Sequence, residues 1–138
     1  MKRIIFIITL TAVMFIFSGC GSTNNLNMLS ALTGKSWKLN SLMGSPLNMK
    51  NFPMGLPGIN FGNDGKINGS TGCNNFNGSF KMDKSAVSLD PGAMTRKFCE
   101  GSGETDFLNA IKQVNKMKMD GNVLKMMNGS KELLSFIQ

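Results

Sequence analysis

Glycine- and asparagine-rich turns divide most of the chain into short segments, and this spacing limits the fold more than any other feature of the sequence. Between the turns, apolar and polar residues alternate, as they do in strands with one buried face. The strongest turn sequences are Asn63-Asp64-Gly65, Asp90-Pro91-Gly92, Asp120-Gly121-Asn122 and Asn128-Gly129-Ser130. The pattern predicts about eight short antiparallel strands, with one ladder of strands ending at Asp90-Pro91-Gly92.

One segment has the period of a helix instead of a strand. Glu104 and Asp106 lie where the dipole of a first helical turn favours acidic residues, and an apolar stripe follows. The stripe consists of Phe107, Ile111 and Val114. We therefore expect an α+β fold, in which a curved antiparallel sheet or open barrel of about eight short strands packs on one helix.

The start of the sequence has the features of an export signal. A basic beginning is followed by an apolar run from Ile4 to Phe17, which as a helix spans about 21 Å and is too short for a bilayer core of about 30 Å. Phe17-Ser18-Gly19-Cys20 resembles a bacterial lipobox, although Phe17 stands where leucine is usual. The resemblance implies cleavage before Cys20 and acyl chains on that residue. The alternative is a secreted protein in which Cys20 only follows the cleavage site.

These features predict three parts of the chain: a lipoprotein signal peptide over residues 1–19, a flexible polar tether over 20–31 and a folded domain over 32–138. Acyl chains on Cys20 would hold the protein on a membrane without a transmembrane helix. The expected location is the bacterial cell envelope. The periplasmic face of the outer membrane is favoured, because Gly21 and not an aspartate follows Cys20.

The composition excludes several kinds of function. The sequence contains no histidine, so it can form neither a Ser-His-Asp or Cys-His catalytic group nor a zinc or haem site with histidine ligands. Fifteen basic and eight acidic residues give a net charge of +7, but the lysines are scattered singly along the chain. We therefore expect no enzyme activity, no cofactor and no nucleic-acid partner.

Cys73 and Cys99 remain as a pair once Cys20 is acylated, and an exported protein meets an oxidising environment. A disulfide between them would contribute about 3.5 kcal/mol on the chain-entropy model. Two buried free thiols and a metal-binding pair are the alternatives, and the absence of histidine argues against the metal.

Two sequence blocks resemble the META domain, the family of HslJ-like bacterial lipoproteins. The first is Gly72-Cys73-Asn74, followed by Gly78 and an aromatic residue, and the second is Thr95-Arg96-Lys97-Phe98-Cys99, which is similar to the family's Thr-x-x-x-Cys segment. The resemblance extends from about Leu32 to Phe136, and it departs from the family pattern at Lys97-Phe98. It implies a small α+β fold, an envelope location and an association with heat shock or secretion. It supplies no catalytic residue, so Gly72, Asn74, Gly78 and Thr95 are expected to have structural roles.

Asparagine and methionine are also candidates for binding. The asparagines within residues 72–78 could present amides to a ligand, but tight turns explain them more simply. Thioethers can bind Cu(I), and Met49 and Met54 in a proline-rich loop are the residues to consider for it. Met117 and Met126 instead have the spacing of core residues in strands.

The leading hypothesis is a non-enzymatic, lipid-anchored envelope protein of the META type that acts through an envelope protein partner, as an accessory or stress-related factor. An alternative is a carrier that holds an apolar small molecule in an open barrel, with the loop from Gly44 to Gly58 as a lid. A tightly filled interior would count against the carrier. An envelope hydrolase is a third hypothesis, and it requires two carboxylates that converge in a cleft.

Overall fold

A computed structural model describes residues 23–138 and shows a sheet of nine strands with two α-helices and one short 3-10 helix. The helices are α1 (Thr23–Leu32), the 3-10 helix (Met49–Asn51) and α2 (Gly103–Gln113). The strands are β1 (Ser36–Leu42), β2 (Ser45–Pro46), β3 (Gly58–Phe61), β4 (Lys66–Ser70), β5 (Asn75–Asp83), β6 (Ala86–Met94), β7 (Lys116–Asp120), β8 (Val123–Asn128) and β9 (Lys131–Ile137). The predicted signal peptide and Cys20 lie outside the described residues.

Eight of the strands form a closed antiparallel ring in the order β1, β3, β4, β5, β6, β7, β8 and β9, and β9 pairs again with β1. The two-residue strand β2 pairs with the end of β1. The junction between β6 and β7 is narrow, because Ala86 and Lys116 are its single pair of facing residues. The predicted antiparallel sheet is confirmed, and the β1–β9 pairing turns it into a barrel.

Since neighbouring strands run in opposite directions, their connections collect at two ends of the barrel. The first end, which we call the α1 end, carries α1 and the turns at residues 62–65, 84–85 and 121–122. The second, which we call the disulfide end, carries the loop 43–57, the turn 71–74, the segment 95–102 and the turn 129–130.

The hydrophobic core lies inside the ring, and α2 contributes to it directly. Phe107, Ala110 and Ile111 of this helix are at most 1% exposed. The ring of Phe107 lies 6.4 Å from the ring of Phe76 on β5 and 6.4 Å from that of Phe136 on β9. The apolar stripe predicted from the sequence is therefore the face that packs against the strands, and each fully buried side chain of this size stabilises the fold by about 2 kcal/mol.

Two turn predictions are wrong. β6 continues through Asp90-Pro91-Gly92 to Met94, where the sequence predicts the end of a ladder. β5 begins at Asn75, so Asn77 and Gly78 lie in a strand and not in a turn. The register of the β5–β6 pair shifts between Phe76 and Asn77, where β6 carries one extra residue, Ala93, close to Pro91. Such irregularities are typical of strands that contain a proline, which lacks an N–H group.

The predicted tether over 20–31 is also wrong for its described part, because α1 occupies residues 23–32. Leu32 at the end of this helix is fully buried, and Met28 and Leu29 pack against the core. The indole Nε1 of Trp37 donates a hydrogen bond of 2.9 Å to the carbonyl oxygen of Leu32. The helix forms because this tertiary contact stabilises a segment whose composition is typical of a linker. The structure therefore contains two α-helices where the sequence predicts one.

Candidate functional site

A cleft of about 300 Å³ opens at the disulfide end of the barrel. It lies where the turn 71–74, the segment 97–101 and the start of α2 meet the residues around Phe52. The two sequence blocks that carry the family resemblance form two of its walls. Since one block precedes β5 and the other follows β6, the pairing of these two strands brings the blocks together.

A disulfide between Cys73 and Cys99 joins the two walls, with the Cα atoms 6.1 Å apart. This agrees with the disulfide interpretation of the sequence and not with free thiols or a metal pair. Both cysteines are half-buried and line the cleft. The bridge therefore fixes a segment that makes no regular secondary structure between the end of β6 and the start of α2.

Asn74 is the centre of the hydrogen bonding behind the cleft, and it is 3% exposed. Its Oδ1 accepts hydrogen bonds from Thr95 Oγ1 at 2.9 Å and from the backbone N–H of Lys97 at 2.7 Å. Its Nδ2 donates to the carbonyl oxygen of Lys97 at 3.0 Å and to the carboxylate of Glu104 at 3.0 and 3.2 Å. One buried amide thus connects the turn, the segment after β6 and helix α2.

Thr71 completes this hydrogen-bonded cluster and has no exposed surface. The Thr71 hydroxyl donates a hydrogen bond of 2.6 Å to Glu104 Oε1. The same hydroxyl oxygen accepts a hydrogen bond of 2.8 Å from the backbone N–H of Asn74. Sequence analysis missed Thr71, and it assigned Glu104 only to the start of a helix. The position of Thr71 directly before Gly72-Cys73-Asn74 is the one signal that could have indicated it.

Gly72 and Gly78, two of the predicted structural residues, are required by close contacts. Gly72 has a φ of +89°, which side-chain-bearing residues rarely adopt, and a Cβ there would lie 2.5 Å from the carbonyl oxygen of Gly55. A Cβ on Gly78 would overlap the carbonyl oxygen of Asp90 on the neighbouring strand. Both glycines therefore allow two segments of backbone to approach closely at the disulfide end.

The lining of the cleft combines two carboxylates, those of Glu100 and Glu104, with an exposed aromatic ring. Within the described part of the chain, no lysine or arginine nitrogen lies within 4.0 Å of the Glu104 carboxylate. Phe98, the residue at which the sequence departs from the family pattern, lines the cleft and is 92% exposed. Lys97 and Glu100 line it as well.

The other candidate residues from the sequence lie elsewhere. Met49 and Met54 are 58% and 72% exposed on the loop 43–57, whereas Met117 and Met126 are fully buried, as their spacing predicts. Among residues 23–138, no group of three His, Cys, Asp or Glu side chains is arranged to hold a metal ion. Within the same residues, no helix is both long and apolar enough to span a membrane.

The fold and the cleft define a class of small antiparallel barrels that contain one packed helix and carry a disulfide at one end. The model of the META domain matches residues 30–138, and the chain belongs to this family. No curated protein sequence shows significant similarity to the chain.

Solved structures share the fold. A protein described only by its NMR structure has 24% sequence identity and a TM-score of 0.61, over 79% of this chain and 92% of the other. A crystal structure of a DUF4847 family protein from Bacteroides vulgatus ATCC 8482 has 16% identity and a TM-score of 0.59, over 80% and 96%. An NMR structure of a protein from Burkholderia xenovorans has 19% identity and a TM-score of 0.59, over 80% and 86%. At these identities the likeness shows the fold alone.

Proposed function

We propose that the chain is a lipid-anchored, non-enzymatic protein of the bacterial cell envelope, and that the cleft beside the disulfide binds an envelope protein partner. The observation that carries the proposal is the exposure of Phe98 on a segment held by the disulfide and by Asn74. An aromatic side chain on a fixed backbone loses little conformational entropy when a partner covers it, which is why such residues often dominate the energy of an interface.

The position of the anchor relative to the cleft supports this proposal. Cys20 precedes α1 by two residues, and α1 joins the barrel at the α1 end. The cleft is at the disulfide end, and β5 alone, with nine residues, extends about 30 Å between the two ends. A protein held on the membrane through Cys20 would therefore present the cleft toward the aqueous compartment, which for the favoured outer-membrane location is the periplasm.

Two alternatives receive less support. A carrier needs space inside the barrel, but the interior holds one continuous core to which both the strands and Phe107 of α2 contribute. A hydrolase needs two free carboxylates, and Glu100 and Glu104 do line the same cleft. The Glu104 carboxylate, however, accepts hydrogen bonds from Thr71 and Asn74, so its geometry suits a structural connection better than an attack on a substrate.

Intact-mass spectrometry of the protein purified from its own membranes tests the anchor. We expect the mass of residues 20–138 plus acyl chains, with Cys73 and Cys99 open to alkylation only after reduction. A full-length chain, or a cleaved chain without acyl groups, would refute the lipid anchor.

Site-specific photo-crosslinking tests the cleft. A photoreactive phenylalanine derivative at position 98 should give a discrete adduct with one envelope protein in intact cells. Ile137 is a matched control, because it is also an exposed apolar residue, at 41%, but lies at the α1 end. Equal crosslinking from positions 98 and 137 would contradict a binding role for the cleft.

A further inference from the structure

Exposed lysines collect at the end of the barrel that carries α1. We call Lys35, Lys66, Lys84 and Lys118 the lysine rim. They are scattered in sequence, and the alternating strand directions bring them together. Lys35 precedes β1, Lys66 begins β4, and Lys84 lies in the turn between β5 and β6.

Lys118 joins this group through the pairing of β7 with the same turn. The backbone N–H of Met117 donates to the carbonyl oxygen of Ser85 at 3.0 Å, so the next residue of β7 lies beside Lys84. On its other side Lys118 faces Lys125 in the β7–β8 register. Lys125 forms ion pairs with Asp120 at 2.9 Å and with Glu132 at 3.6 Å, so its charge is balanced by neighbouring carboxylates.

The acidic residues at the α1 end form an ion pair with one of the four rim lysines. Asp64 pairs with Lys66 at 3.6 Å, and Asp120 pairs with Lys125 at 2.9 Å. Within residues 23–138, Lys35, Lys84 and Lys118 form no ion pair, and the further acid at this end is Asp83.

The disulfide end has a different balance of charge. Its basic residues are Lys50, Arg96, Lys97 and Lys131, and its acidic residues are Glu100, Glu104, Asp106 and Glu132. Equal numbers of the two signs leave this end without excess charge. At the α1 end, the four rim lysines and Lys125 outnumber Asp64, Asp83 and Asp120, so this end has an excess of two positive charges. The remaining charged residues, which are Lys38, Lys81, Asp90, Lys112 and Lys116, belong to neither set.

The preceding chain indicates what faces the rim. Cys20, which carries the proposed acyl chains and remains after cleavage, is separated from α1 by Gly21 and Ser22 alone, and α1 joins the barrel at this end. A membrane that holds Cys20 is connected to this end of the barrel through α1, whose ten residues span about 15 Å. Anionic lipid headgroups attract lysines placed near a bilayer surface. An acidic protein could also form ion pairs with the rim lysines, but no observation places such a protein at this end of the barrel.

We propose that the lysine rim binds the anionic headgroups of the same membrane that carries the Cys20 anchor, and so holds the barrel with its cleft directed away from the bilayer. The inference rests on the proposed lipid anchor and adds to it a second, electrostatic contact. Because exposed charges are screened beyond about 8 Å at physiological salt, the contact acts only when the rim lies against the surface.

Lysine footprinting of the acylated protein tests this orientation. The protein, with its acyl chains verified by mass, is reconstituted into vesicles of equimolar phosphatidylglycerol and phosphatidylcholine, or of phosphatidylcholine alone, and then acetylated. On the anionic vesicles we expect the rim lysines to react about threefold more slowly than Lys50 and Lys131, with the difference lost at high salt. On phosphatidylcholine alone, the two sets of lysines should react alike.

Charge-reversal variants supply a matched control. Lys84→Glu with Lys118→Glu removes charge from the rim, whereas Lys50→Glu with Lys131→Glu makes the same change in net charge at the disulfide end. All four side chains are exposed, so both variants should fold. The first variant should lose the protection of Lys35 and Lys66 on anionic vesicles, and the second should keep it.

The possible outcomes distinguish failure of the rim proposal from failure of the proposed lipid anchor. A mass without acyl groups, with no protein on the vesicles, refutes the anchor before any footprint is taken. Vesicle-bound protein in which rim and control lysines react equally refutes the rim alone. Protection that is the same on both lipid compositions, or that appears only when envelope proteins are added, also overturns the proposal.

Discussion

The two ends of the barrel carry connections of very different length, and different interactions hold them in place. At the α1 end, tight turns join neighbouring strands, and α1 is held by the buried Leu32 and its contact with Trp37. At the disulfide end, the segment 95–102 and the loop 43–57 lack long regular elements. The disulfide and the amide of Asn74 hold the segment 95–102, and the buried Phe52 and backbone hydrogen bonds to β1 and β9 hold the loop 43–57. This difference shows that irregular segments of backbone require buried polar or covalent partners. In tight turns, the strands that the turn connects supply the hydrogen bonds of the backbone.

Of the changes that test the two ends, removal of the disulfide should cause the largest loss of stability. The double variant Cys73→Ser with Cys99→Ser should lower the free energy of unfolding by about 3 kcal/mol, because the unfolded chain regains the freedom of the closed loop. Urea unfolding measures this loss. Reductant should lower the stability of the wild type by a similar amount and leave the double variant unchanged. A reductant effect of equal size in both would show that the bridge is not its cause.

Leu32→Ala tests the α1 end in the same way. The change removes a fully buried side chain, so we expect a loss of about 2.5 kcal/mol by urea unfolding. Trp37 is the single tryptophan of the chain and donates to the Leu32 carbonyl oxygen, so its fluorescence should shift if α1 detaches. A stability within about 0.5 kcal/mol of the wild type would mean that α1 is not docked on the barrel.

Asn74→Ala should be less disruptive than these two changes but specific to the disulfide end. It leaves the backbone N–H and carbonyl of Lys97 without their partner, and we expect a loss of about 2 kcal/mol together with weaker crosslinking from position 98. Asn77→Ala is the control, because Asn77 is an exposed asparagine on β5 and should tolerate the change. Equal effects of the two substitutions would disprove a special role for the buried amide.

The smallest effect is expected for the ion pair of Asp120 with Lys125. The hydrogen bond and charge of Lys125 lower the pKa of Asp120, and the same pair raises the pKa of Lys125. The contribution of Asp120 to the free energy of unfolding is therefore present above the usual pKa of this residue, and it is lost as the pH falls through the lowered pKa. That of Lys125 is present below its usual pKa and lost as the pH rises through the raised value.

Asp120→Asn should accordingly reduce the pH dependence of unfolding slightly in the acid range, as measured by urea unfolding at several pH values. Asp120 is exposed and Lys125 is half-buried at the surface of the sheet, so the change at neutral pH should be small. A pronounced loss of stability at neutral pH would contradict this view of the α1 end.

Much of the fold and part of the site can be predicted from the sequence. The alternation of Trp37 and Leu39 with polar residues gives β1 correctly, and the apolar stripe of α2 is buried as expected. The strand boundaries near Asp90-Pro91-Gly92 could not be predicted, because the pairing of β6 with β5 and the extra residue that β6 carries after Gly92 are properties of the assembled sheet. Helix α1 could not be predicted from its composition, because its stability comes from the burial of Leu32 in the core.

The sequence by itself determined the antiparallel character of the sheet and the buried face of α2, since these follow from local periodicity. It favoured a disulfide between Cys73 and Cys99 but left free thiols and a metal-binding pair as alternatives. Only the tertiary structure decided that β9 pairs with β1, that Thr71 and Glu104 meet at Asn74, and that the scattered lysines share one end. The physical reason is that these relationships join residues far apart in the chain. Their distances depend on strand order and register, which no local pattern of residues specifies.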